Sequence, residues 1–121
     1  INMKNIILPT TSNALIIEGA GGVMVPLNEH ALVIDLIEKL KAEVILVSRN
    51  YLGSINHTLL TVAALQNRNI SVTGIIFNGK PADSTEKYIL NFTNLKCLLR
   101  INEEAVIDKQ TILNYSRLLA L

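Results

Sequence analysis

Alternation constrains this chain more than any other feature. Continuous aliphatic runs, "EVILVS" (Glu43 to Ser48), "SVTGIIFN" (Ser71 to Asn78) and "LKCLLRI", each lead into polar or glycine residues, and segments of helical spacing separate them. A run of Val, Ile and Leu with no polar alternation is the pattern of a strand buried on both faces. Such strands alternating with helices make βαβ units, and hence a three-layer α/β fold around a parallel sheet. The same reading predicts an earlier strand in "NALIIEG", from Asn13, and a helix over "EHALVIDLIEKLK" with Ala31, Ile34, Leu36, Ile37 and Leu40 on its apolar face. A second helix uses Leu59, Leu60, Val62, Ala63 and Leu65. A third runs from an Asp/Ser start to about Phe92, and "DKQTILNYSRLLAL" closes the chain as an amphipathic helix.

Composition narrows the function classes. The chain has 121 residues, enough for one domain with a real core, and no repeat or low-complexity linker marks a second one. Residues 1–121 therefore read as a single, partial domain. The partial reading comes from the first stretch, "INMKNIILPTTSN", which resembles the tail of something longer. With 11 basic and 10 acidic residues, no basic block and few aromatics, a nucleic-acid surface has no support. The single cysteine, Cys97, excludes an internal disulfide, fits a reducing compartment, and reads as a small apolar residue in or beside a strand. No apolar stretch reaches the roughly 18 residues of a membrane span, and no signal peptide is visible.

In parallel α/β sheets, ligands bind beyond the carboxyl ends of the strands. There "IIEGAGGVMVPL" delivers Glu18 into the turn Gly19, Ala20, Gly21, Gly22. A carboxylate in that position accepts a ligand ammonium, helps coordinate Mg²⁺, or simply caps a strand end. The turn is no Walker loop, because no Gly-Lys-Ser/Thr follows it. In "YLGSINHTLL", Gly53 and Ser54 stand just before a helix, so the N–H groups of Ser54, Ile55 and Asn56 can face an anion, with the Asn56 amide as a further donor. Ser54 as an ordinary helix cap explains the same residues. His57 reads as structural, with no nucleophile or metal partner beside it. Asn78, ending "TGIIFN", can read a base edge, or merely form the turn before Gly79.

The blocks "EGAGG…VPL", "VILVSRNYLGSINHTLLT" and "GIIFN" resemble dethiobiotin synthetase, closely from Asn13 to Asn78 and more loosely beyond. That resemblance implies a P-loop NTPase-like fold of which only the C-terminal part is present. It also implies a cytoplasmic homodimer that uses ATP, Mg²⁺ and CO₂ to convert 7,8-diaminononanoate into dethiobiotin. Carried over residue by residue, Glu18 holds Mg²⁺ near the nucleotide and the substrate amines. The Gly19–Gly22 turn lies against substrate, and Leu52, Gly53, Ser54, Ile55 and Asn56 take the distal carboxylate across the dimer interface. Asn78 reads adenine, and Asn102, Glu103 and Glu104 make a nucleotide contact, although Asn102 stands where the family has proline. The family's Lys- and Thr-bearing phosphate loop is not in this sequence, so no catalytic residue is assigned. The isolated chain is expected to be inactive and to present an open sheet edge prone to association. A non-catalytic dimerisation or binding fragment, and an amidoligase-type enzyme of another cofactor pathway, are the competing readings.

Overall fold

A computed structural model gives the fold and describes residues 1–19 and 21–119. The chain divides into two units, Ile1–Ala42 and Glu43–Leu121.

In the first unit, a single turn of 3-10 helix, Met3–Asn5, is followed by chain without regular structure. A short antiparallel hairpin then forms from β1 (Pro26–Asn28) and β2 (Ala31–Leu32). The Asn28 side chain accepts the His30 N–H at 2.8 Å, an Asx turn that reverses the chain after β1. Helix α1 (Val33–Leu40) starts directly after β2, with the Asp35 carboxylate accepting the Leu32 N–H at 2.7 Å. It ends on Lys41 in the left-handed conformation, and the Ala42 N–H returns to Ile37 O.

Two expectations change here. The helix begins two residues after Ala31, because Ala31 and Leu32 are taken into the hairpin. The strand expected in "NALIIEG" does not form among the described residues. Ile16 is 92% exposed, with Leu15 and Ile17 also exposed, so this apolar run has no ladder partner to satisfy its backbone.

The second unit carries the parallel α/β sheet that the alternation predicted. Its strands β3 (Val44–Arg49), β4 (Val72–Asn78) and β5 (Cys97–Ile101) lie in sequential order, all parallel, with β4 central. Helix α2 (Ser54–Asn67) connects the first pair and α3 (Asp83–Thr93) the second. Helix α4 (Lys109–Ser116) follows, capped by the Asp108 side chain on Thr111 N–H at 2.8 Å.

Ile75 and Phe77 of β4 pack on Ile89 of α3, with Leu46, Ile55, Leu90, Leu95 and Cys97 around them. Cys97 is thus a half-buried core residue, as its sequence context suggested. On the far side of β3, Ile45 and Val47 remain exposed. Extra residues in register, Thr73 on β4 and Leu98 on β5, sharpen the twist. Leu98 fills the space above Gly74, where a Cβ would lie 2.7 Å from Leu98 Cγ and 2.8 Å from Lys96 O. Among the described residues, no helix is long and apolar enough to cross a membrane.

Candidate functional site

The parallel sheet brings three strand ends together, with Arg49, Asn78 and Ile101 in register across β3, β4 and β5. Polar loops leave the sheet at this edge, where such folds bind ligands.

After β3 the chain passes through Asn50–Gly53 into α2. Gly53 is the N-cap, at φ +97°, a conformation that a side chain would strain. Having no side chain, it cannot cap the helix. The capping role expected of Ser54 therefore does not arise: Ser54 is the first helical residue, it is buried, and its N–H is bonded to Tyr51 O at 3.0 Å. The N–H groups of Ile55 and Asn56 have no acceptor among the described residues, so two donors face outward rather than three.

These donors open into a depression of about 620 Å³, lined by Tyr51–Asn56 and Leu59 on one side and by Thr85 and Tyr88 of α3 on the other. A smaller recess of about 300 Å³ shares Tyr51, Ser54 and Thr85 and reaches Lys80. Tyr51 and His57 share a hydrogen bond at 2.6 Å, Oη to Nδ1, which staples the loop to the first turns of α2. Beneath the loop, Ser48 and Thr58 hydroxyls join β3 to α2 at 2.9 Å, both buried.

The residues lining the α3 side were not singled out in the sequence. Thr85 and Tyr88, three positions apart, share a helix face, which the helical pattern of "STEKY" could have suggested. Behind them lies Glu86, a carboxylate only 1% exposed. It accepts from Asn50 Nδ2 at 2.8 Å, from the Ala82 N–H at 3.3 Å, and from Arg100 Nε. Burial pushes its carboxyl up, but the hydrogen bonds from Arg100, Asn50 and Ala82 outweigh this and hold it below the usual carboxylate range. The same bond to Glu86 raises Arg100 further. Arg100 also lies over the Phe77 ring, 5.7 Å from its centroid.

At the end of β4, Asn78 is exposed and its side chain makes no hydrogen bond among the described residues. Arg49 crosses above Gly79 and reaches Glu103 at 3.5 Å, an exposed pair worth little to stability. Glu104 accepts from Tyr115 Oη, which in turn accepts the Asn102 N–H at 3.0 Å, so α4 steadies the Asn102–Glu104 segment. Glu104 raises the Tyr115 phenol for the same reason.

Glu18, Gly19, Gly21 and Gly22 lie in the first unit; Ala20 is outside the described residues. Glu18 is exposed, and its carboxylate makes no hydrogen bond or ion pair among the described residues. Gly21, at φ +81°, packs so closely on Val25 that a Cβ would lie 2.7 Å from Val25 Cγ2, while Gly22 faces open space. No group of three or more His, Cys, Asp or Glu residues among the described ones is arranged to hold a metal. A lone free carboxylate does suit Mg²⁺, which takes one or two protein carboxylates and fills its other positions with phosphate oxygens and water.

A parallel sheet with its polar loops gathered at the carboxyl edge defines an α/β protein of the P-loop NTPase-like class. More particularly, the chain belongs to the family described as AAA domain, which matches residues 1–111. It is 54% identical over 107 residues to the ATP-dependent dethiobiotin synthetase of Cytophaga hutchinsonii, covering 88% of this chain and 52% of that protein. The corresponding protein of Christiangramia forsetii is 48% identical over 116 residues, 96% of this chain and 56% of its own length. A biotin biosynthesis bifunctional protein of Bordetella avium is 41% identical over 112 residues, 93% of this chain and 24% of its length. The chain thus spans about half the length of the single-function relatives.

Proposed function

We propose that this chain supplies the substrate-carboxylate, Mg²⁺ and adenine-binding half of an ATP-dependent dethiobiotin synthetase, acting in biotin biosynthesis as a homodimer. One observation carries the reading: the uncapped start of α2, with the Ile55 and Asn56 N–H groups free at the mouth of a partly apolar depression. A helix start with free donors favours an anion, and the apolar walls suit an aliphatic chain rather than a sugar. An acid with a nine-carbon chain, such as 7,8-diaminononanoate, matches both. The relatives' printed names point to the same reaction.

In this reading, Leu52–Asn56 anchor the distal carboxylate, which sets where the two amines lie. Anchoring one end of a flexible substrate supplies the positioning on which carbamate formation and ring closure depend. The Gly19–Gly22 turn gives backbone close access to substrate. Asn78 offers donor and acceptor together to the adenine edge, with Asn102–Glu104 beside the nucleotide. Glu18 would hold Mg²⁺, which supplies charge neutralisation for the phosphates when bound. The 121 residues contain no Gly-x-x-x-x-Gly-Lys-Ser/Thr motif, so the groups that stabilise a transferring phosphoryl must come from elsewhere.

Titration with 7,8-diaminononanoate is expected to shift the amide resonances of Ile55 and Asn56. Asn56→Ala, which removes one donor to a charged group, should weaken binding about tenfold. An unperturbed Ile55 and Asn56 at saturating ligand would sink the reading. The same chain mixed with diaminononanoate, ATP, Mg²⁺ and bicarbonate is expected to form no dethiobiotin; product formation by it would show that it needs no other phosphate-binding loop.

A further inference from the structure

We infer that Glu86 is the positioning residue of the depression: its buried carboxylate ties the loop before α2 to the turn after β4, and so sets the opening into which the Ile55 and Asn56 N–H groups point. This rests on the reading that the depression takes a carboxylate. Glu86 is buried and lines neither recess, so it acts through its partners, while its α3 neighbours Thr85 and Tyr88 line the groove.

The tie runs through Asn50. Its Nδ2 donates both hydrogens, to Glu86 Oε1 at 2.8 Å and to Lys80 O at 3.0 Å. Both partners are acceptors, which fixes the orientation of the amide. The same Glu86 oxygen accepts the Ala82 N–H, so one carboxylate gathers the loop after β3 and the turn after β4. Arg100 of β5 neutralises it from a third element.

The arrangement is a poor one for stability alone. Fixing Asn50 this way leaves its Oδ1 buried with no donor among the described residues, a cost that most native sites avoid. A buried ion pair is itself weak evidence of stabilisation, since its desolvation offsets much of its attraction. What the network delivers is geometry: two loops held at one spacing, each contributing to the walls of the recesses at the α2 start.

Nonanoate serves as the probe, titrated into the 121-residue chain and read at the Ile55 and Asn56 amides. Asn50→Ala cuts the tie while also discarding the orphaned acceptor, which offsets part of the lost bond to Glu86, so its melting temperature should fall by only a few degrees and the protein should stay folded. Its affinity for nonanoate should fall about tenfold, the loss that follows when a charge-assisted hydrogen bond is misplaced. Glu86→Asp keeps the charge but is too short to reach both Asn50 and Ala82, and should lose affinity to a similar extent. Parent-like affinity in a folded Asn50→Ala or Glu86→Asp protein overturns the positioning role and leaves the carboxylate reading standing. Failure of the parent chain to bind nonanoate at Ile55 and Asn56 overturns both.

Discussion

Gly74→Ala should lower the melting temperature of the chain by about 10–20 °C, the largest effect expected of any single methyl group in the sheet. Gly74 sits in the central strand, just before the Ile75–Ile76 step at which β5 carries its extra residue, Leu98. A Cβ there would meet Leu98 Cγ at 2.7 Å, Lys96 O at 2.8 Å and Leu98 Cδ2 at 2.9 Å. Leu98 is 3% exposed and has no room to swing away, and the Lys96 carbonyl already accepts the Ile75 N–H at 2.8 Å. Relief therefore requires β4 and β5 to part. Overpacking of this kind costs about 1–3 kcal/mol, and contact with a backbone atom puts it at the upper end. Thermal denaturation of the variant checks this; a melting temperature within a few degrees of the parent's would mean that β5 yields more easily than its burial implies.

The second large effect is the acid sensitivity that Glu86 confers. Its carboxyl is held below the usual range in the folded chain by Arg100, Asn50 and Ala82, against the upward push of burial. A depressed carboxylate contributes stability that is complete above the unfolded-state value of about 4.5. That contribution is lost as pH falls through the lower folded value. Glu86→Ala should therefore destabilise the chain at pH 7 by about 2–3 kcal/mol. This figure is lower than the 3–5 kcal/mol of a fully buried broken pair, because the half-exposed Arg100 regains water. The gap between parent and variant should narrow as pH drops below about 4. Urea denaturation at pH 7 and at pH 3 measures both ends, and an equal difference at the two pH values would show that the carboxylate's charge contributes nothing.

Much of the sheet was legible before the structure, for a definite reason. "VILVS", "VTGIIFN" and "CLLRI" are unbroken aliphatic runs, the pattern of strands packed under helices, and each became a strand within a residue or two of its expected bounds, although Ile45 and Val47 leave one face of the first exposed. "ALIIE" has the same composition and formed none. A buried-strand pattern states what a segment needs, and cannot state whether its partners are there. Ala31 was misplaced because one aliphatic position serves a helix face and a two-residue strand equally well. At the site, the Gly53-Ser54 helix start was readable, but the cap fell on glycine rather than serine, which removed a side-chain acceptor and left bare amides. Glu86 was not readable at all. In "STEKY" it looks like any solvated helix charge, and its burial is set by Arg100, 14 positions away, and by Asn50, 36 positions away.

The position of β4 between two parallel neighbours also sets how the unit opens with time. Amides near the middle of β4, such as Ile75 and Phe77, should exchange with deuterium only when the whole sheet comes apart, and so report its full opening free energy. The Ile55 and Asn56 amides have no bond to break and should exchange at the rate of an unfolded chain, although both sit in a well-formed helix. A carboxylate ligand would then be seen as protection arising at two adjacent amides against a silent background. Labelling in deuterated water could thus locate the occupant of this groove without any turnover.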